Sequence, residues 1–263
     1  MLLGLVKAAY HDIVCIAAAG AVAEGGPFED SWRRIRAGFL QDMVDEHYYM
    51  ASDYWFLKNI ERYDHYDRNG NPVFLGEYAA HEPAVSGKRP NNLYSALCEA
   101  AYMTGLERNS DLVRLACYAP LFARDGFAQW TPDMIWFNES TVLLTPNYYV
   151  QQIFSTTRGD YLLEDACEEN DVYTLVTGSK SAIQLKLVNV SGEKKEIEIE
   201  LQGSAFTGEV QGLVLGDESK TAVNAFGSPF KAASYDFQVD FSGGKALVSV
   251  PEYGLVSISV PVG

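Results

Sequence analysis

The chain has 263 residues, room for one large domain, a single (β/α)8 barrel or two domains of ordinary size. With 48% apolar and 21% charged residues it reads as a packed globular protein and not as a disordered tail or a coiled coil. Its 20 Lys and Arg against 35 Asp and Glu leave a net charge of −15, a surface that repels phosphate backbones and anionic headgroups, so nucleic acid and membrane are excluded as partners. No long uncharged apolar run offers a bilayer span.

In chain order, residues 13–23 combine an apolar run with Ala17, Ala18, Ala19 and Ala23. A secretion signal and a buried strand entering a small-residue turn produce the same pattern, and the residues alone do not separate them. Phe28, Trp32, Ile35, Phe39 and Met43 recur at spacings of three and four and predict one helical face, with Glu29 and Asp30 in its first turn. Residues 44–49 predict a short strand and residues 53–64 a helical stretch. The turn-forming run at 67–72 precedes a buried strand at 73–75. A helix over 91–104 follows, with Gly105 as its C-terminal cap, then a shorter helix at 111–118, a strand at 134–137 and a helix from Pro146 to about residue 155. Four strand–helix units in succession predict a parallel sheet with crossover helices over residues 1–155.

From residue 156 to residue 263 the period changes to two. Ile183, Leu185 and Leu187 alternate with polar residues, as do Ile197, Ile199 and Leu201 with Glu196, Glu198 and Glu200, around a turn at Ser191 and Gly192. Phe237, Val239 and Phe241, then residues 246–250 and 255–260, continue the pattern, which predicts an antiparallel β-sandwich with one face buried and one wet.

The four cysteines, Cys15, Cys98, Cys117 and Cys167, form no CxxC pair and read as buried free thiols. The four histidines show no metal-ligand spacing, no Gly-rich phosphate loop follows a strand, and no GxSxG elbow occurs, so neither a metal nor a cofactor is expected. What remains are carboxylates and aromatics after strand runs. Glu77 follows the apolar run 73–76, where an unpartnered carboxylate is costly, and it divides evenly between a loop salt bridge and a functional group. Taken alone, His47 reads more readily as a structural histidine, and Trp130, Trp136, Tyr148 and Tyr149 as core.

Several ordered runs carry a resemblance. Val44-Asp45-Glu46-His47-Tyr48-Tyr49, Tyr63-Asp64-His65-Tyr66-Asp67-Arg68-Asn69-Gly70 and Val73-Phe74-Leu75-Gly76-Glu77-Tyr78-Ala79 are followed by Asn109-Ser110-Asp111-Leu112-Val113 and Tyr118-Ala119-Pro120-Leu121-Phe122. Trp130-Thr131-Pro132-Asp133-Met134-Ile135-Trp136-Phe137 and Tyr148-Tyr149-Val150-Gln151 complete the set. In this order they resemble the α-L-arabinofuranosidases of glycoside hydrolase family 51, retaining glycosidases built on a (β/α)8 barrel followed by a β-sandwich.

The resemblance implies that the first 155 residues are strands five to eight of such a barrel, which assigns residues 13–18 to a strand. It also implies that Glu77, ending strand seven, is the catalytic nucleophile, with Tyr49 donating to it and favouring its ionised form. His47 and Tyr49, ending strand six, would line the sugar pocket, and Trp130 and Asp133, just before strand eight, would reach substrate. The implied partner is an arabinose-containing oligosaccharide or polysaccharide, such as arabinoxylan or arabinan.

A retaining mechanism needs a second carboxylate about 5–5.5 Å from the nucleophile. In this family it belongs to a Gly-Asn-Glu run ending strand four, which would precede residue 1. Asn138-Glu139 comes in the wrong order and lacks the Gly, and Glu46 does not match either. The expectation is therefore an enzyme portion without its acid/base, with little or no hydrolysis on its own, and with unpaired edges at strands five and eight that favour homo-oligomers. The alternative is a non-catalytic carbohydrate-binding or assembly module. The compartment stays open.

Overall fold

The structure, a computed structural model, describes residues 2–38 and 41–262. Phe39 lies outside the described residues. The first elements are α1 (Leu2–Ala9), β1 (Ile16–Ala18), α2 (Gly26–Arg36), β2 (Met43–Ala51), β3 (Val73–His81), α3 (Leu93–Arg108) and β4 (Val113–Tyr118). They are followed by β5 (Phe122–Arg124), β6 (Ile135–Phe137), β7 (Val142–Leu144) and α4 (Pro146–Thr156). The remaining strands are β8 (Tyr161–Leu162), β9 (Val172–Gly178), β10 (Ala182–Asn189), β11 (Lys195–Glu200), β12 (Gly208–Gly216), β13 (Tyr235–Phe241), β14 (Lys245–Val250) and β15 (Gly254–Pro261).

Strands β1 to β4 pair in chain order, all parallel, which requires every connection to cross back over a face of the sheet. On β2 the period-two alternation turns Val44, Glu46 and Tyr48 toward the helical layer, where all three are buried, and Asp45, His47 and Tyr49 to the other face, where all three are part-exposed. Helix α2 covers the buried face through Trp32 and Ile35, and its Trp32 indole donates to Glu46 at 2.8 Å. Residues 53–64, expected as a helical stretch, fall into three short helical segments and no continuous α-helix: a π turn at Ser52–Phe56 and 3₁₀ turns at Leu57–Asn59 and Arg62–His65.

Helix α3 lacks a clear apolar stripe because it is buried on two sides. Cys98, Tyr102 and Leu106 pack on the parallel sheet, while Leu93, Ala96, Leu97, Ala100 and Ala101 pack on α4 and the sandwich. Its N-cap is Asn92, whose side chain accepts from the Ser95 N–H. Gly105, expected as a cap, lies inside the helix, which runs on to Arg108; the glycine there is required by close packing, since a Cβ would stand 2.0 Å from the Ile60 carbonyl oxygen.

Three further expectations change. Met43 opens β2 instead of extending the preceding helix, which ends at Arg36. Residues 113–118 are the fourth parallel strand and not a helix: Leu112, Val113, Leu115 and Ala116 fit a helical spacing, but pairing with β3 decides the conformation. Residues 135–137 belong instead to a separate small sheet, β5-β6-β7, so Trp130 and Asp133 follow the fourth parallel strand and do not precede it.

The antiparallel part has a six-stranded sheet, β13-β12-β15-β10-β9-β8, facing the pair β11-β14. Leu185, Leu187, Val256 and Ile258 meet Ile199, Val248 and Val250 between the sheets. The wet face expected for every strand holds for β11, β13 and β14, whose burial alternates. It fails for β10 and β15, whose second face is buried against α3 and α4 through Val188 and Leu255. All four cysteines are free; Cys15 and Cys98 are buried as expected, whereas Cys117 and Cys167 are exposed.

Candidate active site

Glu77 projects from β3 beside His47 of β2, its partner in the parallel register. The pairing shifts between Glu46 and His47 on one side and between Leu75 and Tyr78 on the other. Strict alternation would place Leu75 and Tyr78, three apart, on opposite faces, yet both are buried in the cluster under the helices. The irregularity at Gly76 and Glu77 absorbs the difference and leaves Glu77 on the face that β2 lines with Asp45, His47 and Tyr49.

The Glu77 side chain is 43% exposed, open enough to meet a ligand. The Tyr49 hydroxyl donates to its Oε2 at 2.7 Å. Burial, and then the carboxylate it serves, push the Tyr49 phenol above the usual tyrosine range, so it remains a donor at neutral pH. His47 Nδ1 lies 3.6 Å from the same Oε2, and His47 Nε2 lies 2.9 Å from Asp45 Oδ2. The His81 ring stacks on Tyr49 at 5.7 Å, and its imidazole is pushed down to about 4 by burial and the nearby Arg89, which keeps it neutral. The result is a half-exposed carboxylate with a neutral phenol donor, suited to nucleophilic or basic work.

The structure thus brings together Glu77, His47 and Tyr49. Asp45 was not foreseen, although its period-two spacing with His47 and Tyr49 was a usable signal. Trp130 stands 73% exposed in the segment between β5 and β6 and is not joined to the group. Asp133 is buried, its backbone N–H donating to the Asn91 side chain, and its carboxyl is pushed up to about 6 by burial. The adjacent Met134 packs with Ala79, Tyr118 and Tyr49.

The other acidic residues near the strand ends serve different ends. Glu46 is fully buried on the opposite face, accepting from Trp32 Nε1 at 2.8 Å, from Tyr63 and Tyr66 at 2.9 Å each, and from Tyr48. The Arg62 guanidinium closes that cage, 4.9 Å over the Tyr48 ring. Glu139 is exposed at the β6–β7 turn and pairs with Arg124 at 3.0 Å.

Residues 76–254 match the family described as the alpha-L-arabinofuranosidase C-terminal domain. The chain belongs to this family. It is 42% identical over 175 residues to an extracellular exo-α-L-arabinofuranosidase of Streptomyces chartreusis, a match covering 66% of this chain and 20% of that protein. It is 30% identical over 261 residues to α-L-arabinofuranosidase A of Aspergillus kawachii, covering 97% of this chain and 38% of that one. The arabinose-bound GH51 α-L-arabinofuranosidase MgGH51 superposes with a TM-score of 0.87 at 27% identity, over 99% of this chain and 42% of that chain. An α-L-arabinofuranosidase from Thermotoga maritima shares the fold at 16% identity with a TM-score of 0.80, covering 99% of this chain and 60% of that one. The chain therefore spans less than two fifths of the curated relatives' length, and corresponds to the C-terminal portion of family 51 enzymes. The family match begins at Gly76, so it includes Glu77 but leaves Asp45, His47 and Tyr49 outside.

Proposed function

We propose that this chain supplies the nucleophile half of a retaining α-L-arabinofuranosidase site, with the four-stranded parallel sheet as strands five to eight of a (β/α)8 barrel and residues 156–263 as the sandwich that follows. The observation that carries the reading is the 2.7 Å bond from the Tyr49 hydroxyl to the half-exposed Glu77, across neighbouring parallel strands, in a chain of this family.

Glu77 attacks the anomeric carbon of an arabinofuranosyl group, and the bond to the leaving oxygen breaks as a glycosyl ester forms on the carboxylate. Tyr49 holds the carboxylate in place before attack. His47 and Asp133 line the sugar pocket, and Trp130 offers an exposed ring to the substrate further out. The second carboxylate, which protonates the leaving oxygen and then activates water, comes from the part of such enzymes that these residues do not span. Glu46, closed in its cage, and Glu139, paired with Arg124, do not supply it. The substrate class is a terminal α-L-arabinofuranosyl side chain, as in arabinoxylan or arabinan.

On its own the chain is expected to hydrolyse an aryl α-L-arabinofuranoside at least about 10²–10⁴-fold more slowly than the complete site, the usual contribution of a general acid. The test is to co-express it with the N-terminal portion of a family 51 relative and assay that substrate. Restored cleavage that E77A abolishes supports the reading. Arabinan binding by the chain with no restored cleavage favours a non-catalytic binding module instead.

A further inference from the structure

The Asp45 carboxylate is placed with more care than a residue two positions outside a site requires. Its Oδ2 lies 2.9 Å from His47 Nε2. Its Oδ1 is buried and finds no donor among the described residues. That oxygen fills the space above Gly76, where a Cβ would stand 2.1 Å from it. Gly76 therefore provides the seat for Asp45, directly before Glu77 in the chain. His47 is the single side chain among the described residues that hydrogen-bonds Asp45.

An ionised carboxylate can only accept, so a hydrogen bond at this distance needs the proton on His47 Nε2. In a neutral ring the other nitrogen, Nδ1, then carries a lone pair, 3.6 Å from Glu77 Oε2. The opposite tautomer would put an N–H beside that oxygen. Together with Tyr49 it would become a second donor to the same carboxylate, stabilising the charge that must attack.

We propose that Asp45 is a positioning residue that holds His47 as the Nε2–H tautomer, so that Nδ1 stays an acceptor on the Glu77 side and takes a hydrogen bond from a hydroxyl of the bound sugar. This rests on the reading of Glu77 as the reactive carboxylate, but its test does not depend on activity. Gly76 is part of the device, because any side chain there would displace the Asp45 oxygen from its seat.

The experiment is long-range ¹H–¹⁵N NMR of the full chain labelled at histidine, recorded at about pH 9, well above an ordinary imidazole's ~6.5. The His47 signals are those lost in H47N. The wild type is expected to show a protonated Nε2 and an unprotonated Nδ1, with that tautomer in excess by about tenfold or more, the scale of a charge-assisted hydrogen bond. In D45A, which leaves no side-chain acceptor at that position, the excess is expected to fall toward the modest Nε2–H preference of a free imidazole. A wild-type ring protonated on Nδ1, or on both nitrogens, overturns the proposal whether or not D45A folds. A D45A spectrum matching the wild type also overturns it. The expected tautomer together with an E77A variant that stays active after complementation would leave Asp45's role intact and remove Glu77's.

Discussion

Tyr49 and Glu77 meet because two strands place them on one face and an irregularity in β3 rotates the carboxylate onto it. The family resemblance carried by the runs at 44–49 and 73–79 implied both residues and the direction of the hydrogen bond, whereas the residues alone left Glu77 evenly divided and did not single out Tyr49. The role of Asp45 was hidden, because it depends on an empty Cβ position at Gly76 and on a shift of register, neither of which leaves a periodic trace. Removing the Tyr49 hydroxyl deletes one bond to a charged group. In the complemented enzyme, Y49F is expected to lower kcat/KM by about 10–100-fold, the range of such bonds, with little change in the unfolding midpoint. Unchanged kinetics would show that the phenol does not act on Glu77.

At the scale of elements, β3 is tied from behind as well as from the site. Glu99 of α3 is fully buried, accepting from the Ala80 N–H at 2.8 Å and from the Asn147 amide of α4 at 2.8 Å. Burial pushes its carboxyl up to about 8 from an ordinary 4.5, against the pull of those two donors. Between these values the unfolded chain has released a proton that the folded chain keeps, so this group makes folding less favourable as pH rises through that window, and adds no further slope above it. Urea titrations of the wild type and E99Q at about pH 5 and about pH 8 are expected to show the wild type losing more stability, at a limiting slope of about 1.4 kcal/mol per pH unit. Parallel profiles would show that Glu99 is ionised in the fold.

Helix α3 was readable from the spacing of its apolar residues and α4 from the proline that opens it, although α3 runs past its expected end at Thr104 to Arg108, whereas β4 was not readable. Its burial is confined to Val113 and Tyr118, so it has neither the continuous apolar run of a central strand nor the alternation of a half-wet one.

For the whole molecule, the change from strand–helix units to period-two strands was visible in the sequence, and the antiparallel sheet begins at Tyr161, after α4 ends at Thr156. The burial of the six-stranded sheet on both faces was not. Lys186 and Ser257 occupy polar positions of the alternation, yet both are buried, and the Lys186 ammonium is enclosed, donating to Glu107 of α3 at 3.1 Å and to the Thr157 carbonyl at 2.7 Å. That contact joins the two parts of the chain. The outer strands of the parallel sheet have the opposite character: among the described residues β1 and β4 each leave one edge unpaired, with Ile16 44% and Leu115 52% exposed. The isolated chain is expected to self-associate in size-exclusion chromatography with light scattering, more strongly at high salt, where its charge of −15 is screened. A compact monomer at all salt concentrations would contradict this.

The central claim is that Glu77 is the carboxylate that forms the glycosyl ester. It is tested most directly by trapping the intermediate on the complemented enzyme with a slow fluorinated arabinofuranoside and mapping the modified peptide by mass spectrometry. One fluorinated arabinofuranosyl adduct is expected on the peptide holding Gly76, Glu77 and Tyr78, absent in E77A. An adduct on another carboxylate, or hydrolysis with inversion and no adduct, would contradict it.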